Sequence, residues 1–95
     1  MSLDNRIVIA GGGRVGFQVA NLVEEYGHTP FIIEPNTERV EEISESHTSM
    51  IIEGDATNPE ILTQANIEGS DAVAAMTGDG GTNIAVCAQA REIAP

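Results

Sequence analysis

The feature that most constrains the fold is one stretch, Arg6 to Gly16, in which the apolar run Ile7-Val8-Ile9-Ala10 feeds directly into Gly11-Gly12-Gly13-Arg14-Val15-Gly16. β-Branched residues favour a pleated, half-buried strand, and glycines tolerate the sharp change of direction that follows. The run reads as a strand turning into a helix. Gly11, Gly13 and Gly16 keep the G-x-G-x-x-G spacing, and each has a mechanical job that a side chain would spoil. The first makes the tight turn, the second lets a pyrophosphate approach the backbone, and the third lets the helix lie close on the strand. The helix that follows presents unpaired N–H groups and the positive end of its dipole to an anion. A glycine pattern alone is weak. Here a second strand ends in Glu34, eighteen residues past Gly16, about where a dinucleotide fold places the acid that holds the adenosine ribose. The alternative is a glycine turn in an α/β domain that binds nothing.

From Arg14 onward Val15, Val19, Leu22, Val23 and Tyr26 recur at steps of three and four, the stripe of a helix resting on a sheet, and Gly27 ends it as a left-handed cap. Thr29 to Glu34 is the second strand and Pro35 stops it. Asn36 or Thr37 then caps a short helix with Val40 and Ile43 facing inward. Ser49 to Ile52 reads as a third strand, followed by a loop from Glu53 through Gly54, Asp55 and Ala56 to Thr57. Asn58-Pro59 starts a third helix that runs to about Ala65. Asp71 to Met76 is the fourth strand. Thr77-Gly78-Asp79-Gly80-Gly81 is a flexible loop before a last helix, Thr82 to about Ile93.

This alternation predicts an α/β fold, a Rossmann-like doubly wound parallel sheet with strand order 3-2-1-4. The 95 residues form a single domain, 1–95, in which the later strands of a dinucleotide fold do not follow strand four. The expectation is an N-terminal fragment of a longer protein, truncated before those strands, or an edge that a partner chain covers.

Charge narrows the partners. Fifteen Asp and Glu stand against four Arg and no Lys, a net charge of −11. Four scattered arginines do not make the basic face that a nucleic-acid backbone needs. So acidic a surface is tolerable where salt screens it, which leaves a halophilic, salt-rich cytoplasm and an ordinary acidic cytosolic protein both open. No apolar run approaches the length needed to span a bilayer, so direct membrane insertion is not expected. The single cysteine, Cys87, rules out an internal disulfide and a cysteine-rich zinc site.

In an open parallel sheet the ligand sits beyond the carboxyl ends of the strands, which sorts the remaining residues. Gly11 to Gly16, Glu34, Glu53 to Thr57 and Thr77 to Gly81 share that edge. His28, His47 and Asp71 precede strands and fall on the other, where both histidines read as solvent-facing loop residues. On the binding edge Arg14 pairs with a pyrophosphate as a guanidinium fork or simply faces solvent. Asp55 borders an adenine or forms a turn. Glu53 and Asp79 are loop acids, and two carboxylates of unknown separation do not make a metal site. The edge holds no evident catalyst, so neither a catalytic residue nor a metal ligand is assigned.

The glycines with Arg14, the acid Glu34, Gly54-Asp55-Ala56-Thr57, and Thr77 leading through Asp79 to Asn83 together resemble the TrkA N-terminal, or RCK/KTN, domain family. Arginine after the second glycine and the Gly-Asp-Ala-Thr are more specific than the glycines themselves, and the likeness runs from about Arg6 to Ile93. The resemblance implies a non-enzymatic, ligand-sensing regulatory subunit of a potassium uptake system or channel. It implies binding of NAD(H), or of ATP or ADP, with assembly as a homodimer or ring. It also implies a cytoplasmic location, peripheral to the membrane through a membrane-embedded transporter or channel subunit. Carried over residue by residue, Gly11, Gly12, Gly13, Arg14, Val15 and Gly16 hold phosphates, Glu34 the ribose, and Asp55 with Ala56 the adenine side. Thr77 lies near the second half of the ligand. Gly80 and Gly81 depart from the further acids common after the position of Asp79, which puts a cation site there in doubt. Two other classes compete: the cofactor half of an NAD-dependent dehydrogenase, which needs a proton-transfer residue and a substrate domain, and a nucleotide-free dimerising scaffold.

Overall fold

A computed structural model describes residues 5–46 and 50–94, so the readings made for His47 and Ser49 lie outside the described residues. The elements run β1 (Arg6–Ala10), α1 (Arg14–Glu25), β2 (Thr29–Glu34), α2 (Thr37–Ser46), β3 (Met50–Glu53), α3 (Pro59–Gln64), a 3-10 turn (Ile67–Gly69), β4 (Ala72–Ala75) and α4 (Gly80–Ile93). All strand pairs are parallel and the order is β3-β2-β1-β4, the doubly wound arrangement that the alternation predicts.

Successive strand residues face opposite sides of a sheet, and the apolar runs of β1 and β2 therefore feed two cores. Val8, Ala10, Phe31 and Ile33 pack with Leu62, Ile67, Val86 and Ala90, which puts α3 and α4 on one face. Ile9 and Ile32 pack with Ala20 and Ile43, which puts α1 and α2 on the other. With both faces covered, the central strands are apolar between their end residues, as parallel sheets require.

The strands end in step. Ala10 pairs with Ile33 and with Ala75, while Glu34 pairs with Glu53. The ladder continues one residue further, with N–H groups of Gly11, Gly54 and Met76 donating to the carbonyls of Ile33, Glu34 and Ala10 at 2.8, 3.0 and 2.8 Å. Every loop after a strand is thereby held on one edge. The opposite edge is closed by its own side chains. The Arg6 guanidinium donates to the carbonyls of Ala65 and Asn66 at 2.6 and 3.0 Å and lies over the Phe31 ring, while the Arg6 N–H donates to Asp71 Oδ2 at 2.7 Å.

Four local readings need correction. Val15, Leu22 and Tyr26 were expected on the inner stripe of α1 but are 54%, 50% and 75% exposed. The close approach at Gly16 sets the helix phase, so Gly16 and Ala20 are its buried positions, with Val19 and Val23 packed against that core. Gly80 and Gly81 are the first turn of α4, not a flexible loop, because Asp79 caps the helix and starts it two residues earlier than expected. Glu53 closes β3 instead of opening the loop after it. His28 is partly buried, its Nδ1 accepting the Asn5 N–H at 3.1 Å, and is not a free loop residue.

Candidate functional site

Where β1 ends, Gly11 has φ +114°, and a Cβ on it would lie 2.5 Å from the Met76 carbonyl oxygen. Only glycine combines that left-handed backbone with so close a pass by the end of β4. A Cβ on Gly16 would lie 1.9 Å from the Gly11 carbonyl oxygen, so this glycine lets α1 start directly against the turn. Gly13 differs from both. Its φ of −72° and ψ of −169° suit any residue, and a Cβ there would meet only the end of the Arg39 side chain, with Nη1 3.0 Å away. The fold does not demand glycine at Gly13; what its missing side chain provides is open space over the loop.

Glu34 locks the loop in place. It is 3% exposed, its Oε1 accepts the Gly12 N–H at 2.7 Å and its Oε2 accepts the Asn36 N–H at 2.7 Å. A carboxylate has about four lone-pair sites, so each oxygen retains acceptor capacity. Asn36 in turn caps α2, its side chain accepting the Arg39 N–H at 3.1 Å.

These elements surround a cavity of about 730 Å³ on the carboxyl edge of the sheet. Such a volume suits a nucleotide-sized ligand. Its floor is formed by Gly11, Gly13, Arg14 and Val15, and α1 begins there with Gly13 as its N-cap and no side-chain cap bond. The first N–H groups of the helix and the positive end of its dipole face this cavity, the arrangement that receives an anion. Glu34, Asp55 and Ala56 line it on the β2–β3 side of the glycine loop and Thr77 on the β4 side. The structure therefore brings eight of the ten residues assigned from sequence to one cavity. Gly12 and Gly16 support it from behind, Gly12 with its N–H given to Glu34 and Gly16 packed on the turn.

The polar groups around the rim are already ordered. Asp55 Oδ1 accepts the Thr57 N–H at 2.8 Å and the Thr57 hydroxyl at 2.7 Å, and these bonds hold its carboxyl below the usual carboxylate range. The turn-forming role left open for Asp55 is thus real, and the residue still borders the cavity. The Thr77 N–H donates to Asn83 Oδ1 at 2.9 Å, and its hydroxyl donates to the same oxygen. At the start of α4, Asp79 Oδ2 accepts the Thr82 hydroxyl and the Thr82 N–H, which lower its pKa. Glu53 accepts the Thr37 hydroxyl at 3.0 Å. Among the described residues no group of three or more His, Cys, Asp and Glu side chains is placed to hold a metal ion.

Sequence reasoning missed Arg39, which lines the cavity from the first turn of α2. It follows a strand, five residues after Glu34, so sorting residues by strand end would have found it. Thr82 and Asn83, from the start of α4, also line the cavity; Asn83 is part of the motif that carries the family resemblance, but neither was assigned to the site.

The TrkA-N domain family model matches residues 7–95. The chain belongs to the TrkA-N domain family. This TrkA-N domain is 47% identical over 89 residues to the "Trk system potassium uptake protein TrkA homolog" of Pyrococcus abyssi, covering 94% of this chain and 39% of that protein. The chain thus spans well under half the length of that relative. Among solved structures it is similar to the TrkA-N domain of the inner membrane protein ybaL from Escherichia coli, with TM-score 0.84 and 25% identity, covering 100% of this chain and 70% of that one. The fold also matches the GsuK channel bound to NAD, at TM-score 0.82 and 15% identity over 96% of this chain and 16% of that one. The Shewanella denitrificans Kef CTD in its AMP-bound form matches at TM-score 0.79 and 19% identity, over 93% and 52% of the two chains. No helix among the described residues of this TrkA-N domain is long and apolar enough to cross a membrane.

Proposed function

We propose that this TrkA-N domain is a ligand-sensing regulatory domain of a potassium transport system. It holds NAD(H), or in its place ATP or ADP, and passes the bound state to a membrane transporter or channel subunit as a change of conformation. The observation that carries this reading is the uncapped N-terminus of α1 opening onto a cavity of about 730 Å³ beside the buried carboxylate of Glu34. Family membership and the relative named as a potassium uptake protein support the regulatory part. Structural neighbours carrying NAD and AMP support the ligand class.

In this reading the ligand's phosphates lie on the N–H groups of the first turn of α1, with Arg14 pairing to their oxygens. Glu34 accepts from the ribose hydroxyls with the lone pairs that Gly12 and Asn36 leave free. Asp55 and Ala56 border the adenine, and Thr77 lies toward the second half of the ligand. The domain works as a homodimer or ring in the cytoplasm, reaching the membrane through its partner subunit. A ligand moves such an assembly only by its differential affinity for two arrangements.

Calorimetric titration with NADH, ATP and ADP tests the reading. Saturable binding in the micromolar range by at least one is expected. No saturable binding of any of them at millimolar concentration contradicts it.

A further inference from the structure

We propose that Arg39 is a second phosphate-binding residue of the cavity, closing over the ligand's 5′-phosphates from the side opposite the α1 helix terminus. The inference rests on the nucleotide reading and goes beyond it, because it assigns phosphate recognition to a residue on the helix after β2, outside the glycine-rich loop.

The placement of positive charge carries it. The chain has four cationic side chains against fifteen acids, so each cation's position is informative. Arg6 is spent on the Ala65 and Asn66 carbonyls at the far edge of the sheet. Arg91 sits in the last turn of α4. The other two, Arg14 from α1 and Arg39 from α2, line the same cavity.

Arg39 is also placed where a helix alone would not want a cation. It lies in the first turn of α2, where the dipole favours acids, and its Nη1 lies 3.0 Å from the position a Gly13 Cβ would take, over the positive end of α1. Glu34, whose oxygens each accept one backbone N–H, and Glu42, which borders a groove with Gly13, Arg14 and Arg39, offset part of this charge. An anion on the loop at Gly13 resolves the juxtaposition, meeting the α1 N–H groups on one side and a guanidinium on the other. Gly13 supplies the gap, since its backbone angles accept any residue and only Arg39 stands opposite the absent side chain. The planar fork of a guanidinium fits two phosphate oxygens at once.

The test compares adenosine with AMP and ADP, each measured by displacement of NADH from the full chain and from its Arg39→Gln and Arg39→Lys variants. Charge-assisted hydrogen bonds are strong enough that Arg39→Gln should weaken AMP and ADP at least about tenfold and leave adenosine within about twofold. Arg39→Lys keeps the charge without the fork and should fall between. An equal loss for adenosine and AMP would show that Arg39 only shapes the pocket, and no loss for either would show a solvent-facing side chain; both overturn the proposal. Failure of the parent protein to bind any of NADH, ATP and ADP overturns the nucleotide reading itself and this assignment with it. NADH binding with no selective phosphate effect in Arg39→Gln overturns the assignment alone.

Discussion

Helices α1 and α4 follow neighbouring strands, begin on the same edge of the sheet and border the same cavity, yet their first turns are built in opposite ways. α4 opens at Asp79, whose carboxylate takes the Thr82 N–H and hydroxyl, so the positive end of this helix is satisfied from within. α1 opens at Gly13 with no side-chain cap, and its terminus faces the cavity. Side-chain caps also close α3, through Asn58, and α2, through Asn36. The difference teaches where the chain gives up local stability. A cap at the start of α1 would strengthen the helix and occupy the seat of an anion, whereas a cap on α4 strengthens the wall of the cavity without filling it.

Glycine substitutions sharpen this comparison most. Gly16→Ala forces a Cβ to within 1.9 Å of the Gly11 carbonyl oxygen and must push α1 off its turn. A cost of about 3 kcal/mol is expected, a large part of the roughly 5–15 kcal/mol that holds a domain together, read as a lower denaturant midpoint. Gly80→Ala has the opposite sign. Nothing lies within 4 Å of a Cβ there, and the residue is already helical, so about 0.4–1 kcal/mol of stabilisation is expected in the same denaturant series. Destabilisation by Gly80→Ala would mean that the first turn of α4 is not the formed, capped turn described above.

The smallest effect concerns the cap itself. Asp79→Ala removes the acceptor of both Thr82 bonds and should lower the melting temperature modestly at neutral pH. Because those bonds depress the folded-state pKa, the contribution of Asp79 is complete above the unfolded carboxylate pKa of about 3.9 and is lost as pH falls through the lower folded value. The gap between parent and variant should therefore shrink as the pH drops below about 4. A gap that widens in acid would contradict the cap.

The features legible in the sequence were those with a local chemical cause. The strand-glycine-helix transition at Gly11, the stop at Pro35 and the Asn58-Pro59 start each follow from backbone geometry, and the order β3-β2-β1-β4 follows from their alternation. What was hidden depends on contacts between distant residues. The phase of α1 could not be read from its apolar spacing, since Val15, Leu22 and Tyr26 fit the same period as the buried Gly16 and Ala20. Likewise, two glycines at the start of α4 look like a hinge until Asp79 is seen bonded across them. Glu34 was legible as the acid at the end of β2, but its grip on the Gly12 N–H was not, because nothing in the spacing says that the carboxylate turns back onto the loop.

The central claim is that Gly13 is glycine for the sake of an anion and not for the fold, and Gly13→Asp tests it most directly. The backbone there accepts an aspartate, which can cap α1 as Asp79 caps α4, and its Cβ meets only the end of the Arg39 side chain. The variant should melt at the same temperature as the parent or higher, while its affinity for NADH falls at least about a hundredfold through like-charge contact and lost space. A variant that folds as well and binds NADH as tightly as the parent would contradict the account.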